Sequence, residues 1–153
     1  MAEQTNPATA LFRKRFEAFK TLSAKLGGEK ALETMFAGYP GQLKKRMAPY
    51  IDKATLADGL RNAVAEFKKS GWDMDVVDIS NNGKDAALEI QKVCPAKEIS
   101  REFGYDRPCF LVCDPDGPAI KKAFPDMKAE TLCRQADGDC ICMFKFERKS
   151  RPA

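Results

Sequence analysis

Apolar residues recur at helical spacing through the first half of the chain. The pattern predicts an amphipathic helix over residues 8–26, which Gly27-Gly28 end. A shorter helix is predicted over 29–36 and broken by the Gly-Tyr-Pro-Gly sequence at 38–41. Another is predicted from about residue 53 to 69, with Gly71 at the usual C-terminal glycine position. The first helix has the apolar stripe Leu11, Phe12, Phe16, Phe19, Leu22 and Leu26.

The pattern changes at Trp72 from helical spacing to short apolar runs separated by turn residues. Strands are predicted over 74–79 and 86–93, joined by the hairpin turn Asn82-Gly83. Short helical pieces are predicted after Pro95 and over 119–124, and a final hairpin over 127–135 and 140–147. Helices, hairpin, helices and hairpin in this order predict an α+β fold, with N-terminal helices packed on an antiparallel sheet.

The final hairpin has a definite register if Asp137-Gly138 are the central residues of a type I′ turn. Partners across the two strands then sum to 275, and Cys133 lies opposite Cys142. Since opposed side chains are close, these two cysteines could share a metal or be oxidised together. The same register pairs Gln135 with Cys140 and Glu130 with Lys145. Strand alternation predicts that the core face holds Cys140, Cys142, Phe144 and Phe146.

Length and composition indicate one globular domain, residues 1–153, with a helical half (1–71) and a sheet and cysteine half (72–148). The 153 residues are 44% hydrophobic and 31% charged, with a net charge of +4. The basic residues fit a solvated surface, and neither a nucleic-acid motif nor a membrane span is recognisable. With no signal sequence visible, we expect a soluble cytoplasmic protein that binds neither nucleic acid nor membrane.

The chain has no histidine and six cysteines, which restricts its chemistry. Ser-His and Cys-His dyads within the chain are excluded. In a reducing cytosol, clustered cysteines favour metal, iron–sulfur or redox chemistry over structural disulfides. The cysteines all fall within the second half of the chain: Cys94, Cys109, Cys113, Cys133, Cys140 and Cys142.

The spacing of these cysteines predicts different roles for them. Cys109 and Cys113 share one face whether the segment is a helix or a strand. Together with Cys133 and Cys142 they predict either a shared metal or redox site, or inert buried thiols. Zinc and an iron–sulfur cluster both suit such ligands. Cys94 precedes Pro95 at a predicted helix N-terminus, where the helix dipole would lower the pKa of the thiol.

Several short motifs, taken in order, resemble the L-2-amino-thiazoline-4-carboxylate hydrolase-like family. They are Cys94-Pro95, Glu98, Phe103-Gly104, Cys113-Asp114-Pro-Asp116 and Gly138-Asp139-x-x-Cys142-x-Phe144-x-Phe146. The tail Glu130-x-x-Cys133, followed by Gly138 and Cys142-x-Phe144, also resembles the four-vinyl-reductase type of small-molecule-binding domain. The resemblance covers roughly residues 72–147.

The resemblance implies an α+β ligand-binding domain that uses cysteines, sometimes with an acidic residue, to hold zinc. Carried over by position, the implied ligands are Cys113, Glu130, Cys133 and Cys142, with Cys109 as a neighbour. This sequence has one extra residue between Cys133 and Cys142 compared with the zinc pattern. The type I′ register also points Glu130 away from Cys133, unless a bulge near Cys133 changes it.

The hydrolase-like resemblance implies that water opens a small cyclic amidine at its C=N carbon. Cys94 or Cys113 is then the candidate nucleophile, unless a metal activates the water. Asp114 or Asp116 is the candidate acid–base group, although Asp-Pro-Asp-Gly-Pro is also ordinary turn sequence.

Three functions fit these observations: a hydrolase, a metal or redox sensor module, and an accessory subunit with a structural cluster. The fold supports all three equally, and we favour a domain that binds a small-molecule ligand in a cysteine-lined site. The exposed side of the helical half is expected either to form a homodimer contact or to pack on the sheet of its own chain.

Overall fold

The computed structural model describes residues 7–150, and the predicted domain ends at 1–6 and 151–153 lie outside them. The fold is α+β, as predicted, with helices packed on a four-stranded antiparallel sheet. The helices are α1 (Pro7–Leu26), α2 (Gly28–Phe36), α3 (Tyr39–Ile51), α4 (Leu56–Lys68), α5 (Lys97–Glu102), α6 (Cys109–Val112) and α7 (Asp116–Ala123). The strands are β1 (Asp73–Asp78), β2 (Lys84–Val93), β3 (Lys128–Cys133) and β4 (Cys142–Lys149).

The sheet has the order β1-β2-β4-β3, so the last strand in sequence lies beside the first hairpin. The hairpin prediction at Asn82-Gly83 is confirmed, because both residues have the positive φ angles (51° and 72°) of a type I′ turn. Helix α4 packs against β1 and β2, and α7 packs against β3. The helices therefore cover one side of the sheet, which we call the inner face.

An aromatic core lies between α1 and the 96–112 segment. Phe16 is fully buried and stacks on Phe103, with ring centroids 5.7 Å apart. Phe110 meets Phe19 edge to face at 5.0 Å and also contacts Tyr105 at 5.3 Å. Such pairs add specific geometry to the apolar area that they bury. The predicted α1 stripe is thus the face that fixes α1, except for exposed Leu11 and Leu26.

Helix α3 is absent from the sequence prediction, which ended helical structure at 38–41. The chain does break at Gly38, but a new helix starts at once at Tyr39. Pro40 lies in the first turn of α3, where a missing N–H costs nothing because no helical acceptor is available for it. Buried Leu43 and Ile51 then anchor the helix.

The final hairpin follows the predicted register at only one end. Partners from Lys128 to Thr131 sum to 275, but a bulge follows and places Cys133 opposite Met143. The predicted Cys133–Cys142 pair is therefore wrong. The physical reason is the turn: residues 135–137 form a 3-10 helix ended by left-handed Gly138, in place of a two-residue turn.

The bulge and the longer turn also place Cys140 and Cys142 in different environments. Strand β4 begins at Cys142, so Cys140 lies in the turn and is exposed, in contrast to its predicted core position. Cys142 is buried, as predicted for that face. Among residues 7–150, no helix combines the length and apolarity that a membrane span requires.

Candidate functional site

A cavity of about 420 Å³ lies between the inner face of the sheet and helices α1, α3, α4 and α7. Its volume falls in the range of small-molecule sites, and its surface is mainly apolar with a few polar groups. The sheet side is formed by Met74, Glu89, Gln91, Thr131, Phe144 and Phe146. The helix side includes Phe12, Arg15, Tyr39, Arg46, Phe67 and Asp116.

Tyr39 and Asp116 join α3 to α7 at one wall of this cavity. The Tyr39 hydroxyl donates to Oδ1 of Asp116 at 2.5 Å and accepts from a guanidinium nitrogen of Arg46 at 3.2 Å. Burial, together with the Asp116 charge, raises the pKa of Tyr39 to about 12. Tyr39 is therefore a neutral hydrogen-bond donor at physiological pH.

The carboxyl group of Asp116 is partly compensated. Burial raises its pKa, while the Tyr39 hydrogen bond and the positive charges of Arg46 and Arg15 oppose that rise. Arg15 itself donates to the Leu111 carbonyl at 2.9 Å, so its position is fixed by the backbone. The two arginines and Asp116 thus form one group of interacting charges on the helix side.

Glu89 has no such compensation. Glu89 is 7% exposed. Its carboxylate forms no hydrogen bond or ion pair with any residue in the 7–150 range. Burial is the main reason that the pKa of Glu89 rises to about 7, and the nearby charge of Asp116 adds to it. Glu89 is a buried acid that changes its charge near neutral pH.

Gln91 lies two residues further along β2, on the same face. It is 2% exposed, and its Nε2 is a buried donor that finds no acceptor in the described part of the chain. A buried donor without a partner costs about 1–3 kcal/mol of stability. Glu89 and Gln91 therefore present two unmatched polar side chains to one cavity.

Two of the four predicted catalytic residues reach the cavity. Cys113 and Asp116 line it, whereas Cys94 and Asp114 do not. Burial, and then the Asp116 charge, raises the pKa of the Cys113 thiol well above its usual value. Burial also raises the pKa of Cys94, opposite to the direction that the predicted activation at a helix N-terminus requires. Exposed Asp114 forms an ion pair with Arg134 at 2.5 Å.

The raised pKa of Cys94 follows from its position ahead of a short helix. Helix α5 begins only at Lys97 and has six residues, and the backbone hydrogen bonds that Cys94 receives from this turn are outweighed by its burial. Cys94 packs against the aromatic core instead. Its predicted catalytic role therefore has no geometric support from the helix terminus.

The predicted metal ligands do not surround one centre, although Cys109, Cys113 and Cys142 lie close enough for their charges to interact. Cys109 is buried in α6, and Glu130 is exposed opposite Lys145. The Cys133 thiol points to the Ile141 carbonyl at 3.6 Å, and the Cys142 sulfur accepts from the Gln135 backbone N–H at 3.3 Å. No three Cys, Asp or Glu side chains within residues 7–150 are arranged to hold a metal ion. The residues as arranged do not fit zinc or an iron–sulfur cluster, and both cofactors stay predictions.

Sequence reasoning missed the polar residues of the cavity, Glu89, Gln91, Tyr39 and Arg46. One signal was present in β2, where Asp85, Glu89 and Gln91 share one face of a strand. Polar residues that share one face of a strand normally indicate the solvent side. Here all three are buried.

Comparisons with known proteins concern the fold. No protein-family model and no curated protein matches the chain, so its resemblance to the hydrolase-like family stays a prediction. Its structure is similar to the crystal structure of the phenol-responsive sensory domain of the transcription activator PoxR with phenol. That comparison has 13% sequence identity and a TM-score of 0.54, and covers 95% of this chain and 76% of the other. At this identity the similarity shows a shared fold.

Proposed function

We propose that this chain is a binding domain for a small, mainly apolar organic molecule, which occupies the cavity between the inner face and the helices. The observation that carries the proposal is the pairing of apolar walls with the unmatched Glu89 and Gln91 side chains. The similarity to a phenol-responsive sensory domain supports a ligand-binding role for the same fold.

A ligand in this cavity would remove two free-energy costs at once, one from exposed apolar walls and one from unpaired polar groups. Apolar walls gain about 25 cal/mol for each Å² that a ligand removes from water. A polar group on the ligand would also satisfy buried groups that the protein leaves unmatched. Structural burial alone gives no reason to place a carboxyl and an amide on the inner face of β2.

The test is binding of a panel of single-ring aromatic compounds, measured by NMR chemical-shift changes and calorimetry. We expect at least one compound to bind, with the largest shifts at residues that line the cavity. Ala129→Phe should abolish binding, because Ala129 lines the cavity and the added ring occupies it. The matched control is Val77→Phe, at an exposed strand position outside the cavity lining. Binding that survives Ala129→Phe, or no binding by any compound, would overturn the proposal.

Hydrolysis of a cyclic amidine is a second candidate function, favoured by the presence of Cys113 and Asp116 in the wall of the same cavity. The Cys113 sulfur would add to the C=N carbon while Asp116 accepts the thiol proton, and the ring C–N bond would break as that proton passes to the ring nitrogen. Water would then release the opened product by breaking the new C–S bond and returning a proton to the sulfur. The raised pKa of Cys113 favours the neutral thiol, so Asp116 would have to accept its proton. Turnover of 2-amino-thiazoline-4-carboxylate by the wild type, lost in Cys113→Ala, would support this activity. Full activity in that variant would exclude the proposed nucleophile.

A further inference from the structure

The polar groups of the cavity that lack partners restrict the chemical class of ligand that can bind there. Five charged side chains line its walls: Arg15 on α1, Arg46 on α3, Asp116 on α7, Glu89 on β2 and Glu130 on β3. Arg46 and Arg15 act on Asp116, which also accepts the Tyr39 hydroxyl. The arginines of the helix side thus interact electrostatically with Asp116, whereas neither of them stabilises the Glu89 carboxylate.

We infer that the ligand is an organic amine with an aromatic body, whose ammonium group pairs with the Glu89 carboxylate while a hydrogen-bond acceptor on the same molecule receives Nε2 of Gln91. This inference rests on the proposed binding function and adds the chemical class of the ligand. It depends on the placement of Glu89 and Gln91 on one face of one strand, both buried, both lining the cavity and both without a partner among residues 7–150.

The charges around Glu89 oppose an anionic ligand at this position. An anionic ligand at Glu89 would place a second negative charge beside a carboxylate that already lies near Asp116. A neutral ligand supplies no counter-charge, so Glu89 must either keep its proton or bear the cost of a buried charge. An ammonium group supplies the missing charge and up to three donors.

Aromatic residues define the remainder of the ligand. Phe12 and Trp72 meet edge to face at 5.8 Å at one side of the cavity, and Phe144 and Phe146 form part of the sheet side. A flat ring would make edge and face contacts with these side chains. The faces of the same rings also favour a nearby cation.

The experiment compares two probes that differ only in the terminal group, 2-phenylethylamine and 2-phenylethanol. The wild type should bind the amine about tenfold more tightly than the alcohol, because only the amine supplies a counter-charge. Glu89→Gln should remove this preference while changing the affinity for the alcohol less than about threefold. The matched control, Glu147→Gln, removes a carboxylate of β4 that pairs with Lys84 and Lys145 outside the cavity, and should keep the preference.

A second measurement makes the test independent of the folding of one variant. Titrating the wild type with both probes between about pH 6 and pH 8 should strengthen the binding of the amine as Glu89 ionises. The other acidic groups of the walls are Tyr39, Cys113, Asp116 and Glu130. Tyr39 and Cys113 have pKa values raised above this range, and burial also raises the pKa of Asp116. The affinity for the alcohol should stay constant or fall.

The outcomes separate the two proposals. Equal binding of both probes, a preference for the alcohol, or a preference kept in Glu89→Gln would overturn the amine assignment and leave the binding function intact. Binding of only neutral aromatic compounds from the panel would do the same. If no compound binds and no cavity resonance shifts, the proposed function fails, and the amine assignment fails with it.

Discussion

The Arg148 guanidinium donates through Nε to the Asp85 carboxylate at 2.8 Å, and both side chains are buried. Asp85 also accepts the backbone N–H of Leu56 at the start of α4, at 2.9 Å. The other nitrogens of Arg148 donate to the carbonyls of Ile51 and Lys53, at 2.6 and 2.9 Å. The pair therefore fastens the loop between α3 and α4 to strands β2 and β4.

Removing one partner of this pair should destabilise the fold. Arg148→Ala leaves the Asp85 carboxylate and two carbonyls buried without a donor, and we expect the free energy of unfolding to fall by about 3–5 kcal/mol. Urea unfolding at neutral pH measures this loss. Lys149→Ala, at the exposed neighbouring position, is the matched control and should change stability by less than about 0.5 kcal/mol. A loss below about 1 kcal/mol in Arg148→Ala would contradict this role of the pair.

A close approach of α3 and α4 makes Gly59 sensitive to substitution. A Cβ atom at Gly59 would lie 1.9 Å from the Tyr50 carbonyl oxygen, which is backbone and cannot rotate away. Gly59→Ala should therefore lower the unfolding free energy by about 1–3 kcal/mol, measured by urea or thermal unfolding. Gly41→Ala in α3 meets open space, and its added helix propensity should leave stability unchanged or slightly higher. Equal effects of the two variants would mean that the helices can separate at no cost.

The elements that sequence predicted best are those whose local signals agree. The helix over 8–26, the turn at Asn82-Gly83 and the stop at Gly71, whose φ is 88°, each combine periodicity with a residue suited to its backbone conformation. Helix α3 escaped prediction because Tyr-Pro-Gly reads locally as a turn, while its anchors Leu43 and Ile51 act only through tertiary packing.

The candidate site was harder to predict because the sheet inverts the usual relation between polarity and burial. In β2, alternation alone would turn Leu88 and Ile90 to the core and Glu89 to solvent. In the structure Glu89 and Gln91 are buried, and Leu88 and Ile90 are only half-buried. Only the pairing of Glu89 with Phe144, and of Gln91 with Cys142, reveals which face meets the helices.

Thiol reactivity should follow exposure. Cys140 is exposed in the final turn, whereas Cys109 and Cys142 are buried and burial raises the pKa values of Cys94 and Cys113. We therefore expect the Cys140 thiol to react with a disulfide reagent at least about tenfold faster than the other five near neutral pH, because a reactive thiolate must be accessible.

The variant Cys140→Ser should remove this fast phase, and Cys94→Ser should leave it unchanged as the matched control. A fast phase that disappears in Cys94→Ser would instead restore the activated thiol that the sequence predicted. Mass spectrometry after brief labelling identifies the modified residue directly.

Stability should depend on pH through Glu89. Its ordinary pKa is 4.5, and in the folded protein burial raises that pKa to about 7. Below about pH 4.5 the group is protonated in both states. Between these two values the folded state holds a proton that the unfolded state has released, so this group lowers stability progressively as pH rises, and the penalty is complete above about pH 7.

Glu89→Gln removes the ionisable group and should cancel that penalty. The unfolding free energy of the variant, relative to the wild type, should rise between about pH 5 and pH 8 by up to roughly 3 kcal/mol, with most of the change complete near pH 7. Urea titrations at several pH values measure the difference. Glu147→Gln is the control, because the ion-pair partners of Glu147 lower its pKa, so that variant should lack the gain. A difference between Glu89→Gln and the wild type that stays constant across this range would mean that Glu89 is ionised at no cost, through a counter-charge inside the folded protein.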